Sequence, residues 1–341
     1  MKILTIIGNG FDLGHRLPTL FDHFISSNPD VFARKYGIFR NNNNSWNEIE
    51  TKYAELLMEV MERRDQLDIS EEVEKIINDY GTNEYGEVDY YNYESDAWGT
   101  EIRELSGFIS LLTQFEQDFQ YYLKQFCSDR KLTQVPTSKA IQEILASSDT
   151  IINFNYTHTV EYVYGVKNVI HIHGDLNSHI AIGNGALEGA KDSLLDTEYP
   201  SWKDFAPTKD GLEEMLGYYE EDMDGHLVEK HFIKSFFDDV KETSIAQESK
   251  LFSLLDAKNK DDLVLRQQIV NMLKSSHYDR VYIIGHSLGD ADSSVFHAIN
   301  SDADVTCFFH DTTELPFKDN ALKSFCLKYK LISDSDLYRF E

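Results

Sequence analysis

Four times this chain runs from a short apolar segment straight into glycine or reactive polar side chains. Ile3-Leu4-Thr5-Ile6-Ile7 leads to Gly8-Asn9-Gly10, and Ile151-Ile152 leads to Asn153-Phe154-Asn155-Tyr156-Thr157. Val169-Ile170 leads to His171-Ile172-His173-Gly174, and Val281-Tyr282-Ile283-Ile284 leads to Gly285-His286-Ser287-Leu288-Gly289. Apolar runs of this length, bounded by such turns, read as buried strands of a parallel sheet. Open parallel sheets bind ligands at the carboxyl ends of their strands, where the loops lift side chains out of the core. The repeated junction therefore predicts both an α/β fold and the edge at which its site lies.

The length of 341 residues exceeds a single typical domain, so a core with large insertions is expected. No run approaches the ~18 apolar residues of a membrane span, and the opening apolar stretch is cut by Gly8 too early for a secretory signal. Cys127, Cys307 and Cys326 are odd in number and widely spaced, which suggests neither a disulfide framework nor a zinc motif, and a cytoplasmic setting is expected. The formal net charge of −27 repels phosphate backbones and anionic lipids, so no direct nucleic-acid or membrane partner is expected.

Further strands are expected at His179 to Ile182 and at Val305 to Phe309. Trp46 to Tyr80, broken near Ile69-Ser70, and Glu101 to Cys127 carry apolar residues at helical spacing. Gly81 to Gly99 between them reads as a loop, and Leu212 to Ser276 as a second acidic helical stretch. Phe108, Phe115, Phe119, Tyr122 and Phe126 form an aromatic stripe best read as helix-on-helix core. The expected domains are a core of 1–30, 135–190 and 277–341 and two largely helical insertions, 31–134 and 191–276. These insertions are expected to cover the cleft and to support self-association.

Two motifs carry alternatives. Gly8-Asn9-Gly10-Phe11-Asp12-Leu13-Gly14 has the spacing of a phosphate-binding turn, or of a tight strand-to-helix turn with no ligand; Asp12 beside a diphosphate is favourable only if it meets ribose hydroxyls. Gly285-His286-Ser287-Leu288-Gly289 matches the nucleophile elbow of serine hydrolases. Only one convincing strand follows Ser287, too few for the usual triad order, so Ser287 is expected to bind ligand rather than attack it.

Taken together the four junctions resemble the sirtuin pattern in order and strand context: Gly8-Asn9-Gly10 with Leu17-Pro18, Asn153 to Thr157, His171 to Gly174, and Gly285 to Leu288. More closely, Ile-Gly-Asn-Gly-Phe-Asp-Leu, Phe-Asn-Tyr-Thr, Ile-His-Gly-Asp and Gly-His-Ser-Leu-Gly-Asp-Ala-Asp resemble the AbiH family of bacteriophage abortive-infection proteins across nearly the whole chain. The resemblance implies a Rossmann-like, SIR2-like parallel core that binds NAD, as substrate or ligand, without a metal. It puts Asn155 and His173 in the catalytic positions and Gly8, Asn9, Gly10, Asp12, Asn153, Gly285 and Ser287 around the cofactor. Thr157 stands where sirtuins have Asp, and the zinc-binding cysteine pairs are missing, so the implied activity is nicotinamide release by water rather than deacylation. The alternative is a non-catalytic nucleotide sensor acting through a protein partner, and a homo-oligomer or a phage-derived trigger is compatible with either. By the two-residue period of a strand, His171 faces away from His173 and is expected to be a hydrogen-bonded structural residue. His158 is expected to be a polar contact or simply surface.

Overall fold

The structure, a computed structural model, describes residues 1–37, 52–60, 97–182, 219–221, 227–229, 261–289 and 292–340. The chain divides into two compact units, one of Met1–Glu55, Leu111–Lys191 and Lys260–Glu341, the other of Leu56–Ser110 and Asp192–Asn259. In chain order the strands are β1 (Ile3–Ile7), β2 (Thr150–Asn153), β3 (Val169–His171), β4 (Tyr219–Glu221), β5 (Leu227–Glu229), β6 (Arg280–Ile284), β7 (Asp304–Phe309) and β8 (Lys328–Ser333).

The first unit carries a six-stranded sheet, parallel throughout, in the order β3-β2-β1-β6-β7-β8. The chain steps outward from β1 to β2 and β3, returns beside β1 with β6, then steps outward again to β8. The direction of winding therefore reverses between β1 and β6. Ile7 pairs with Asn153 and with Ile284, and Asn153 pairs with His171, so four strands end level.

Two-residue alternation sorts the strand side chains onto two buried faces. Leu4, Ile6, Ile152, Val281, Ile283 and Val305 pack against Ile269 and Leu273 of helical segment 261–275, Phe296 of helix Ser293–His297, and Leu322 of helix Leu315–Phe325. On the other face Ile7, Ile151, Ile284 and Phe308 meet Ile141 and Leu145 of helix Lys139–Ser147. Each fully buried Leu or Ile contributes roughly 1.5–3 kcal/mol. Both faces being covered, the central strands are apolar almost without interruption. The exception in β1, Thr5, hydrogen-bonds Ser148 Oγ at 2.6 Å.

Phe115, Phe119 and Tyr122 of the aromatic stripe are core, as expected, whereas Phe108 is half-buried and Phe126 is exposed at the end of the helix. Within helix Ala97–Phe126, Phe115 and Phe119 lie 5.5 and 5.8 Å from Phe21, and Phe24 lies 5.4 Å from Phe119. The helix between β2 and β3 is Thr159–Tyr164.

Several expectations need correction. His179 to Ile182 is not a strand; only an isolated bridge joins Gly174 to Ile180, because the segment folds back over the His173 turn instead of joining the sheet. A second strand, β8, does follow Ser287 beyond β7. Its exposed Lys328 blunts an edge strand that pairs on one side only, and so it lacks the apolar run that marks the interior strands. The Leu212 to Ser276 stretch is not wholly helical: in the second unit β4 and β5 form an antiparallel pair, while 261–275 is helical. Of Trp46 to Tyr80, residues 52–60 are helical and the rest lies outside the described residues. Of the loop expected at Gly81 to Gly99, residues from Ala97 onward belong to the helix, and 81–96 lie outside the described residues. No helix among the described residues is long and apolar enough to cross a membrane. All three cysteines are buried and free.

Candidate functional site

The loops leaving β1 and β6 pack backbone against backbone. Gly8 N–H donates to Ile284 O at 2.9 Å and Gly10 N–H to Gly285 O at 2.8 Å. A Cβ on Gly8 would stand 2.5 Å from His286 Cα, and one on Gly285, whose φ is +67°, would stand 2.2 Å from Phe11 N. These glycines permit the contact because any side chain would drive the loops apart. The amide hydrogens of Gly8 and Gly10 are thus engaged, and the two loops form a floor without side chains where the winding reverses.

Asn9 accepts the Thr19 hydroxyl at 2.6 Å. Asp12 is fully buried beneath the turn, with Oδ2 accepting the Thr157 hydroxyl at 2.6 Å and Oδ1 without a partner among the described residues. Asn153 braces the next loop, its Oδ1 accepting Asn155 N–H at 3.0 Å and its Nδ2 donating to Thr157 O at 3.2 Å. Asn155 reaches across to donate Nδ2–H to Gly8 O at 3.1 Å, while its Oδ1 is buried with no partner among the described residues.

His173 leaves β3 on a turn closed by Gly174, at φ +73°, and by Ala181 N–H donating to His173 O at 2.9 Å. Its imidazole lies 5.4 Å from the Phe154 ring and 6.4 Å from Tyr156, so both neighbours of Asn155 touch it. Nε2 stands 3.5 Å from Asp292 Oδ1, and Nδ1 is buried with no partner among the described residues. His286 approaches the other oxygen of Asp292 at 3.4 Å through Nε2, while its Nδ1 accepts Leu288 N–H at 2.9 Å. Arg266, only 3% exposed, reaches Asp292 Oδ1 at 3.3 Å and Ser294 Oγ at 3.2 Å. Burial alone would raise the Asp292 carboxyl; hydrogen bonds from His173 and His286 outweigh it and hold the group well below the usual carboxylate range. One ionised carboxylate therefore organises two imidazoles and a guanidinium.

His171 donates to Asn155 O at 3.0 Å and contacts Glu161 Oε1 at 2.7 Å, so both its nitrogens are engaged. Ser287 is exposed and makes no hydrogen bond among the described residues. The positive φ values of this turn fall on Gly285 (φ 67°) and Leu288 (φ 63°), not on the serine, and the next helix begins only at Ser293. An elbow that activates serine places it at the strained position and within reach of a base. A fluorophosphonate probe is accordingly expected to leave Ser287 unlabelled; labelling that disappears in Ser287→Ala would contradict this.

A family model described as bacteriophage abortive infection AbiH matches residues 4–310. The chain belongs to the AbiH family. No curated protein and no solved structure matches it. AbiH membership places the chain among phage-defence, abortive-infection proteins, and the matched span includes every residue of the site above. Three residues of this AbiH site were not singled out in the sequence: His286, Asp292 and Arg266. The first and second stand in the Gly-His-Ser-Leu-Gly-Asp-Ala-Asp run, whose glycines and serine carry the elbow motif, a pattern that gives the His and the final Asp no role. Arg266 sits in a helical stretch with no motif to mark it.

Two buried groups under the β1 turn titrate in opposite directions. Burial raises the Asp12 carboxyl from 3.8 to about 6, against hydrogen bonds from Thr157 and Thr159 that lower it. Burial lowers His15 from 6.5 to about 4, against the hydrogen bond to Phe11 O. The Asp12 contribution is present below its unfolded value and lost as pH rises through about 6; that of His15 is present above 6.5 and lost as pH falls through about 4. At ~1.4 kcal/mol per pKa unit each is worth roughly 3 kcal/mol, so the two nearly cancel between those limits. Asp12→Asn, which keeps an acceptor for Thr157, is expected to be more stable than wild type at pH 7 and to lose stability steeply on acidification. Denaturant midpoints at pH 4, 5.5 and 7 check this, and a variant less stable than wild type at pH 7 would contradict it.

Proposed function

We propose that this AbiH protein binds NAD at the carboxyl edge of its sheet and hydrolyses it to nicotinamide and ADP-ribose, depleting the cofactor in an infected cell. The observation that carries the reading is a pair of buried polar atoms without partners among the described residues, Asn155 Oδ1 and His173 Nδ1, on loops that meet at Phe154 and Tyr156. Buried acceptors of this kind cost free energy unless something fills them, and they concentrate where a ligand or a reacting water belongs. Their position supports the same reading. The winding of a Rossmann-like, doubly wound sheet reverses where nucleotides bind, and here the reversal coincides with the glycine floor.

Each step follows from the side chains. The C–N glycosidic bond breaks, nicotinamide leaves with the bonding electrons as a neutral molecule, and positive charge develops on the ribose. Asn155 Oδ1 orients the ribose hydroxyl or the incoming water. With Nε2–H turned to Asp292, the lone pair of His173 Nδ1 accepts the water proton as oxygen bonds to the sugar carbon. His286, fixed as an Nε2–H donor by Leu288, and Arg266 keep Asp292 ionised and aligned.

The test is release of nicotinamide and ADP-ribose, in equal amounts, from NAD incubated with the purified full chain. If NAD binds but is never cleaved, even after phage proteins are added, the sensor function replaces the enzymatic one.

A further inference from the structure

On the other side of Asn155, His158, Glu161 and His171 present one ligand atom each, all within 4.8 Å of one another. We infer that these three residues form a binding site for a divalent transition metal of the zinc class. His158 caps helix Thr159–Tyr164 and Glu161 lies one turn along, so the His-x-x-Glu spacing puts both on one helix face. His171 arrives from the end of β3.

The hydrogen-bond inventory points to a cation. His171 Nδ1 faces Asn155 O at 3.0 Å and its Nε2 faces Glu161 Oε1 at 2.7 Å, two acceptors for a ring that carries one hydrogen when neutral. A metal-bound histidine donates its remote N–H to a carbonyl in this way, leaving the other nitrogen's lone pair for the ion. A proton between His171 and Glu161 satisfies that pair alone. It leaves Glu161 Oε2, which is buried without a partner among the described residues. A cation satisfies both carboxylate oxygens and the His158 imidazole, whose ring is 5.2 Å from that of His171. Asp175 Oδ1, held by Asn177 and Ser178 N–H, stands 3.7 Å from His158 Nε2 and orients that ring.

Two imidazoles and a carboxylate with no thiolate match the nitrogen and oxygen preference of Zn²⁺ and its first-row neighbours. Metal bonds of ~2.0–2.1 Å draw such ligand atoms to about 3.4 Å apart, a closure that side-chain torsions supply. Because His171 also holds the Asn155 carbonyl, the bound ion braces the loop that carries Asn155.

This inference does not rest on NAD chemistry, and its test does not use it. The untagged full chain is stripped with a chelator, dialysed against micromolar Zn²⁺ and assayed for metal by emission spectrometry. Wild type and His173→Ala are expected to retain one zinc per chain, and Glu161→Gln and His158→Ala to retain almost none. Because misfolding of a variant also abolishes zinc retention, two readouts on wild type stand beside these: Zn²⁺ should raise its melting temperature, and Co²⁺ should give the visible bands of a low-symmetry site. Wild type without stoichiometric zinc, or Glu161→Gln with as much as wild type, would overturn the site.

Discussion

His173→Ala is expected to lower nicotinamide release by about 10²–10⁴-fold while leaving the fold intact, the usual worth of a positioned general base. The expectation follows from how the imidazole is held. One nitrogen faces an ionised Asp292 and the other has no partner among the described residues, so the side chain is oriented by one contact and available through the other. Removing it deletes a proton acceptor but little packing, because Phe154 keeps its contacts with His286 at 4.4 Å and with Phe296 at 6.2 Å. Asn155→Ala should be similarly damaging. The double variant should be little worse than either, since the two would act on one water and one sugar. Steady-state rates for the four proteins, with matched circular dichroism, check this. Equal rates in wild type and both single variants would dismiss the assignment.

The second large effect is on stability. Gly285→Ala is expected to cost about 2–5 kcal/mol: roughly 1–2 for a left-handed conformation and 1–3 for overpacking. The added Cβ would stand 2.2 Å from Phe11 N and 2.5 Å from Gly10 C, so the β1 and β6 loops must separate and both the Gly8 and Gly10 hydrogen bonds loosen. Gly165 supplies the control. It has the same φ of +67°, but nothing lies within 4 Å of an added Cβ, so Gly165→Ala should cost only the conformational part, about 1–2 kcal/mol. Urea unfolding of the three proteins separates the two contributions. A loss in Gly285→Ala no larger than in Gly165→Ala would show that the loops are not packed as described.

How far the sequence reveals this molecule depends on where each residue sits. Strands β1, β2, β6 and β7 are buried on both faces and so announce themselves as apolar runs. β8, at the sheet edge with exposed lysine, does not. Asn155 and His173 were legible because each stands at the end of such a run, beside a turn that only a few residues can make. Asp292 and Arg266 were not, because their roles exist only once a loop and a distant helix are folded against His173. The glycines show the limit of motif reading most clearly. Gly8-Asn9-Gly10 has the spacing of a phosphate-binding turn, yet two of its amides are committed to the β6 loop, a partner that spacing alone does not reveal. The same holds for His158, Glu161 and His171, whose grouping depends on the helix between β2 and β3 folding back onto the end of β3.

The claim at the centre of this account is that the orphaned polar atoms of Asn155 and His173 mark a nucleotide site. Calorimetric titration of NAD into His173→Ala tests it most directly, since binding is then measured without turnover. Saturable binding of one NAD per chain is expected in His173→Ala, weakened at least tenfold (about 1.4 kcal/mol) when Asn155→Ala is added. No heat of binding at millimolar NAD, or affinity unchanged by Asn155→Ala, would contradict it.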